Sequence, residues 1–505
     1  MGMLSSLVGS RLPTRYHKFF RLPERIPSNA IVDTSGTTLG RLAARWLSEN
    51  EASNGVCRLD VGATALNVRL RLIELAESSV DIQSYLVRDD LSGNLIVMAL
   101  IDAANRGVRV RLLMDDALTK PVDPGLLALG RHERIEVRVF NPFPRKRSRF
   151  VSFIANFNLL NRRMHNKSFT VDSQVTIVGG RNLADEYFQS SQFNEFLDED
   201  LLAIGNVVSD VSSGFDEYWN TRESIPIEFL NPKQPGVSIE DMVREGARYI
   251  ENQSAARDLQ REHDKRSLVL GNGGLDLVPA DAKLILDHPD KVRGLVRDRL
   301  GETSEHLRNM AVEAKHELIV VSPYFVPLRV GVRLFGSLVR RGVRVVIVTN
   351  SLASTNHSSV HAVYARYRKP LLRAGVELYE LRRRADSGER DGQQPVKITL
   401  HSKVGIVDSR ELFVGSFNLD PRSLYINTEM GMAVTSERLA SEAAQSIMQL
   451  LPRLTYRLTL NVKGRLTWSA MRDGVEETLY KEPHTTVWRR LATWLMSLLP
   501  IESQM

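Results

Sequence analysis

Apolar residues along this chain alternate between two spacings. "NVRLRLIELAESS" (67–79) and "GNLIVMALIDAANRG" (93–107) place them at helical intervals. "SVDIQSYLV" (79–87) and "RGVRVRLLMDD" (106–116) are short, nearly continuous apolar runs. Such runs between helical patterns predict mostly parallel strands, covered on both faces by helices in α/β layers.

The pattern occurs twice. "SVDIQSYLV" is answered by "ELIVVSPYFV" (317–326), "RGVRVRLLMDD" by "RGVRVVIVTN" (341–350), and "IEVRVFNPF" (135–143) by "VELYELRRR" (376–384). The order is kept and the offset is about 235 residues, the signature of an internal duplication. Two α/β/α-type halves packed face to face are expected over 55–230 and 285–454. They would be preceded by an N-terminal arm (1–54), joined by a charged helical connector (231–284) and followed by a tail (455–505). "GNGG" (271–274) reads as a turn, since no GK[ST] follows it.

Each copy ends in a segment that carries chargeable residues into an apolar run: "MHNKSFTVDSQVTIVGGRN" (164–182) and "LHSKVGIVDSRELFVGSFN" (400–418). In a strand, residues i and i+2 share a face, so His165 and Lys167 point the same way, as do His401 and Lys403. Asp172 and Asp408 have the opposite parity and fall at turns. They are read either as turn formers or as direct participants in chemistry. A neutral imidazole serves as a nucleophile or as a general acid or base, and a lysine ammonium neutralises phosphate oxygens. Two such pairs facing each other would supply one histidine to attack phosphorus, one to protonate the leaving oxygen, and two lysines for the charged oxygens. No metal or nucleotide cofactor is needed, and one histidine per copy beside a lysine is a poor metal set.

Composition narrows this little. The 505 residues carry a net charge of +7, which favours an anionic partner. The single cysteine, Cys57, excludes an internal disulfide and fits a reducing compartment. No run is long and apolar enough for a transmembrane helix. "MGMLSS" at the start matches a myristoylation pattern, with a frayed terminus as the alternative.

His-x-Lys-x4-Asp followed by Gly-Gly or Gly-Ser resembles the HKD motif of the phospholipase D superfamily, and both copies match it. Within that superfamily the chain is most similar to bacterial cardiolipin synthases, the type C group in particular, from about residue 60 onward. "LNRRMHNKSFTVD" and "SFNLDPRSLYINTEMG" are among the segments that carry the likeness. The resemblance implies two phospholipase D-like halves with the active site at their interface. It also implies a covalent phosphohistidine on one histidine, by analogy His165, with His401 as the acid; the residues themselves do not distinguish the two. Asn182, Asn418 and Ser416 would contact phosphate, Gly180 standing where the second copy has Ser416. Glu429 and Asp198, the latter with Asp200 as its rival, would orient the histidines.

The implied reaction transfers a phosphatidyl group onto phosphatidylglycerol to give cardiolipin, the donor being phosphatidylethanolamine or a second phosphatidylglycerol. The alternative acceptor is water, which would make the protein a phospholipase D. A nuclease of the same superfamily is the further rival, disfavoured because the chain carries both motifs and its basic stretch "PFPRKRSRF" lacks the interleaved aromatics of a single-strand binder. The expected setting is peripheral, on the cytoplasmic face of an anionic membrane, with an accessory protein left open. "TVWRRLATWLMSLLP" (486–500) puts Trp488, Leu491, Trp494, Leu495 and Leu498 near one helical face, beside Arg489 and Arg490. It reads as an interfacial anchor or as a helix docked on the core. Arg145, Lys146, Arg147 and Arg149 would touch headgroups or form a solvated loop. His357 and His361 lack the partners of a zinc site and read as headgroup contacts or packing.

Overall fold

A computed structural model describes residues 26–499, apart from 118–123, 144–160, 192–193, 231–236, 254–274, 294–299, 384–396 and 473, and also describes residue 502. The basic cluster at 145–149, the 271–274 turn and the N-terminal pattern lie outside the described residues.

The repeated apolar runs form two mixed sheets, one of nine strands and one of ten. In the first, Ser79–Ser84, Arg109–Asp115 and Ile135–Phe140 pair in parallel; in the second, Glu317–Val321, Arg344–Asn350 and Glu377–Leu381 do the same. The expected parallel strands are only part of each sheet. The hairpin after each His-x-Lys adds antiparallel strands, Ser168–Val171 with Val175–Gly179 and Val404–Val407 with Glu411–Gly415. A tight hairpin can reverse the chain only into an antiparallel partner.

One hydrophobic cluster joins the halves. Val56, Val178, Leu201 and Val207 from the first share it with Val321, Val404, Leu412 and Met432 from the second. The outer faces of the sheets are covered separately by helices, Gly62–Leu75 and Leu91–Asn105 in one half and Glu302–Glu313 and Leu328–Arg340 in the other.

The elements do not divide at the expected boundaries. Helix Thr38–Glu49, in the supposed arm, buries Leu39, Ala43 and Trp46 in the first core. In the supposed connector, helix Ile239–Glu251 carries Ile239, Met242, Val243 and Ile250 against that same core. Strand Val278–Pro279 joins the first sheet, and Asp281–Leu286 forms an edge of the second. The supposed tail contributes Thr455–Leu460, Leu466–Arg472 and Val475–Leu479 to the second sheet. Charged outward faces disguised these segments, because an edge strand or a covering helix needs only one apolar face.

Among the described residues no helix is long and apolar enough to cross a membrane.

Candidate active site

Backbone pairing between the halves sets both histidines. His165 N–H donates to Thr428 O at 2.9 Å, and His401 N–H donates to Leu197 O at 2.8 Å. Each acceptor is the residue just before a carboxylate of the opposite half. The carboxylates are therefore exchanged: Glu429 Oε2 lies 2.9 Å from His165 Nδ1, and Asp198 Oδ2 lies 2.6 Å from His401 Nδ1. Asp200, the rival, pairs instead with Arg69 and Arg181.

The two rings are held differently. His165 Nδ1 faces two acceptors, Glu429 Oε2 and Ser416 O at 3.0 Å. Only an N–H can satisfy both, so its Nε2 keeps the lone pair. His401 Nδ1 faces an acceptor, Asp198, and a donor, Lys403 Nζ at 2.7 Å. Its proton can sit on either nitrogen. Aromatic rings fix both imidazoles, Tyr85 edge-on to His165 at 5.1 Å and Tyr187 edge-on to His401 at 5.0 Å, with Phe196 stacked on His401 at 5.3 Å.

The regular strands begin one residue after each lysine, so ladder geometry does not aim the His-x-Lys pairs. A hydrogen bond does so instead. Lys167 Nζ donates to His165 O, and Lys403 Nζ to His401 O, folding each ammonium back over its histidine.

Burial controls the charges. It pushes His165 down from the ordinary imidazole value, and His401 down to about 3 with Lys403 adding to the depression. It also lowers Lys167 to about 7 and Lys403 to about 8. Burial alone would raise Asp198 and Glu429. Lys403 and His401 outweigh it for Asp198, and His165 and Lys167 for Glu429, so both stay ionised. Two carboxylates against two ammoniums leave the resting site near neutrality. An arriving phosphodiester brings one more negative charge and favours protonated imidazole.

Three expectations about side chains are corrected. Asp172 and Asp408 do not face the histidines. Each sits at the far end of the strand that follows the lysine. Asp172 accepts from the backbone N–H of Glu77, Ser78 and Ser79, and Asp408 from Lys315, His316 and Glu317. Asp172–Ser173 and Asp408–Ser409 all have φ between 50° and 52°, the left-handed pair that opens each three-residue turn, between paired Val171 and Val175 and between paired Val407 and Glu411. Ser416 is not free for phosphate either. Its hydroxyl donates to Glu429 and accepts from Met430 N–H at 3.0 Å, so it holds the carboxylate that holds His165. In the first half that space belongs to Asp198, whose Oδ1 would lie 2.1 Å from a Cβ at Gly180.

Asn182 and Asn418 follow the Gly-Gly and Gly-Ser steps, and each has a buried amide oxygen without a partner in the chain. Unspent polar capacity of this kind in a closed site points to a ligand. His361 belongs elsewhere, in a buried cluster with Arg368 and Glu482, and His357 packs edge-on to Tyr324.

Sequence reasoning missed Asp115 and Asn350. Asp115 accepts Met164 N–H at 2.9 Å, and Asn350 accepts Leu400 N–H at 3.0 Å. Each clamps the residue before a histidine. The signal was present: both end the same repeated strand, "LLMD" and "VIVTN".

Among the described residues no group of three or more His, Cys, Asp or Glu side chains could hold a metal. Fold and site together define a duplicated phospholipase D-type enzyme, with each motif histidine completed by the other half. The family described as "Cardiolipin synthase, PLD-like domain" matches residues 70–219 and 307–451, and the chain belongs to it. It is 39% identical over 470 residues to cardiolipin synthase C of Escherichia coli (strain K12), covering 92% of this chain and 99% of that one. It is 24% identical over 385 residues to cardiolipin synthase B of the same strain, covering 75% and 76%. The crystal structure of phosphatidylserine synthase from Haemophilus influenzae Rd KW20 shares the fold, with TM-score 0.54, 15% identity and coverage of 85% and 92%.

Proposed function

We propose that this protein transfers a phosphatidyl group from a donor phospholipid to the free hydroxyl of phosphatidylglycerol, forming cardiolipin. The observation that carries the proposal is the unequal pair of histidines in one site. His165 Nε2, with its lone pair fixed, attacks the donor's phosphorus. The bond from phosphorus to the headgroup oxygen breaks, and His401 gives that oxygen its proton, releasing ethanolamine or glycerol. A phosphatidyl–His165 intermediate remains. His401, now a base, takes the proton of the acceptor hydroxyl. The oxygen attacks phosphorus, the P–N bond breaks, and His165 is regenerated. Lys167 and Lys403 neutralise the non-bridging oxygens, and Asn182 and Asn418 supply polar contacts. Identity to cardiolipin synthase C over nearly the whole chain supports lipid alcohol over water as the acceptor.

The test is product analysis by mass spectrometry with purified protein in mixed micelles of phosphatidylglycerol and acyl-labelled phosphatidylethanolamine. Labelled cardiolipin is expected. Phosphatidic acid without cardiolipin would make water the acceptor and overturn the proposal.

Peripheral attachment at an anionic membrane is part of the same reading. Helix Val487–Ser497 buries Thr493, and Arg489 donates to Thr355 O, yet Trp488 is 79% exposed and Trp494 57%. The helix is docked on one side and offers apolar area on the other, as an interfacial helix does. Trp488→Ala/Trp494→Ala should weaken partition into phosphatidylglycerol vesicles about tenfold or more. Unchanged co-sedimentation would remove this helix from membrane contact.

A further inference from the structure

The halves differ at one place where the chemistry just described asks for no difference. In the second half, helices Glu302–Glu313 and Leu328–Arg340 enclose, with the sheet, an apolar cavity of about 630 Å³. Lys403 is among its lining residues, as are Val330 and Tyr425, both more than 40% exposed. The equivalent space in the first half, also lined by its motif lysine, Lys167, measures about 10 Å³.

Strand pairing shows why. Phe169 pairs with Ile82 on one side and Ile177 on the other; Gly405 pairs with Val320 and Phe413. Gly405 thus stands where the first half has a buried phenylalanine. A Cβ there would meet nothing closer than 3.8 Å. The Asp172 and Asp408 clamps equate Ser79 with Glu317, and hence Arg69 with Leu307 and Ile73 with Ala311. Arg69, with Asp200 and Arg181, fills the first half with a buried ionic cluster. By strand register the second half has Gly431 for Asp200, and Phe417 for Arg181. Phe413 for Ile177, Val404 for Ser168 and Leu318 for Val80 are changes toward bulk, and they leave the space open. Charge and volume have both been removed from one half only.

An apolar space of this size forfeits packing, and its walls give water few partners. It falls within the roughly 300–1,000 Å³ of ligand pockets. It runs to the lysine that the mechanism places on phosphate, and Arg308 and Arg333 on its lining suit an anionic lipid surface at its entrance. We propose that the cavity is an acyl-chain channel, in which one hydrocarbon chain of a phospholipid substrate lies while that lipid's phosphate is held at Lys403. Only one of the two lipids is gripped this way; the other reaches the site through the first half, where no chain fits. This inference rests on the phosphatidyl-transfer reading.

The first test uses the unaltered protein with phosphatidylglycerol and phosphatidylethanolamine, each in turn carrying a diazirine in one acyl chain, in mixed micelles. After illumination, adducts of one of the two should map to 302–313 and 328–340 and disappear with excess unlabelled lipid. Adducts confined with both to other segments, such as 487–499, would overturn the channel. The second test plugs it with Gly405→Phe and, from the opposite wall, Ala311→Phe. Each methylene kept out of an apolar site costs about fourfold. Lipid kcat/KM should therefore fall at least about tenfold in both variants, while hydrolysis of chainless bis(4-nitrophenyl) phosphate stays within about twofold. Folded variants that turn over lipid like the parent would refute the proposal. If plugging harms folding and both activities fall, the crosslinking result decides. Failure of the transfer reading is separate, appearing as phosphatidic acid without cardiolipin from the parent, whereas the crosslink positions do not depend on the acceptor.

Discussion

Glutamine at position 429 would keep the side chain's shape and remove its charge. In the resting site Glu429 faces His165 Nδ1 at 2.9 Å and accepts from Ser423 Oγ at 2.7 Å. When His165 Nε2 bonds to phosphorus with Nδ1 still protonated, the ring becomes a cation. The carboxylate then faces a full charge centred about 4 Å away, worth about 4 kcal/mol at an effective dielectric constant of about 20. This stabilisation is absent before attack, so its loss falls on kcat and not on KM. At about 1.4 kcal/mol per tenfold, Glu429→Gln should lower kcat about 10³-fold. Single-turnover phosphatidyl transfer in mixed micelles isolates the chemical step, and thermal unfolding verifies that the variant is folded. A single-turnover rate within about tenfold of the parent, or a loss carried entirely by KM, would refute the charge-stabilisation argument.

Other outcomes follow from the same geometry. Asp172→Ala strands three backbone N–H groups and places alanine at φ 51°. It should cost about 2–4 kcal/mol in chemical unfolding while activity per folded molecule is retained; a folded but inactive variant would restore a catalytic role to that carboxylate. Gly180→Ala puts a Cβ 2.1 Å from Asp198 Oδ1, so it should displace Asp198 from His401, destabilise by about 1–3 kcal/mol and reduce kcat at least about tenfold; parent-like kcat would show that Asp198 does not act through His401. In the pH profile of kcat/KM, the lowered His165, which must be neutral to attack, puts the acid limb below 6.5, and Lys167 near 7 and Lys403 near 8 lose their protons as pH rises, so the alkaline limb falls there. A profile flat to pH 10 would mean that the lysines are not needed charged. Both carboxylates have folded values below their unfolded ones, so the stability they contribute is full above about 4.5 and lost as pH falls below it. Glu429→Gln should flatten part of that acid loss in urea titrations, and an unchanged acid limb would contradict the depressed value.

Much of this protein is written in local patterns. The duplication, the alternation of helices and apolar strands, and the two His-x-Lys segments are contiguous signals, each readable from spacing because helix and strand have fixed periods. The turn role of Asp172 and Asp408 was legible as one of two readings, through their parity against the histidines. Less visible were Asp115 and Asn350, since a clamp on a distant backbone N–H leaves no periodic trace. The strands after residue 455 were hidden because one apolar face in a charged segment resembles a tail.

What the sequence by itself determined is the chemistry of the site: two imidazoles, two ammoniums and two carboxylates, in matched contexts, in a chain that repeats itself. Only the tertiary structure decided how these are shared. Folding pairs His165 with Glu429 and His401 with Asp198 across the interface, because the strand residue before each carboxylate accepts the histidine's N–H from the other half. It also makes the repeated halves unequal, one packed with Phe169 and a buried ionic cluster, the other left open at Gly405. Such differences depend on which side chains meet across a packed core, and that meeting has no counterpart in linear spacing.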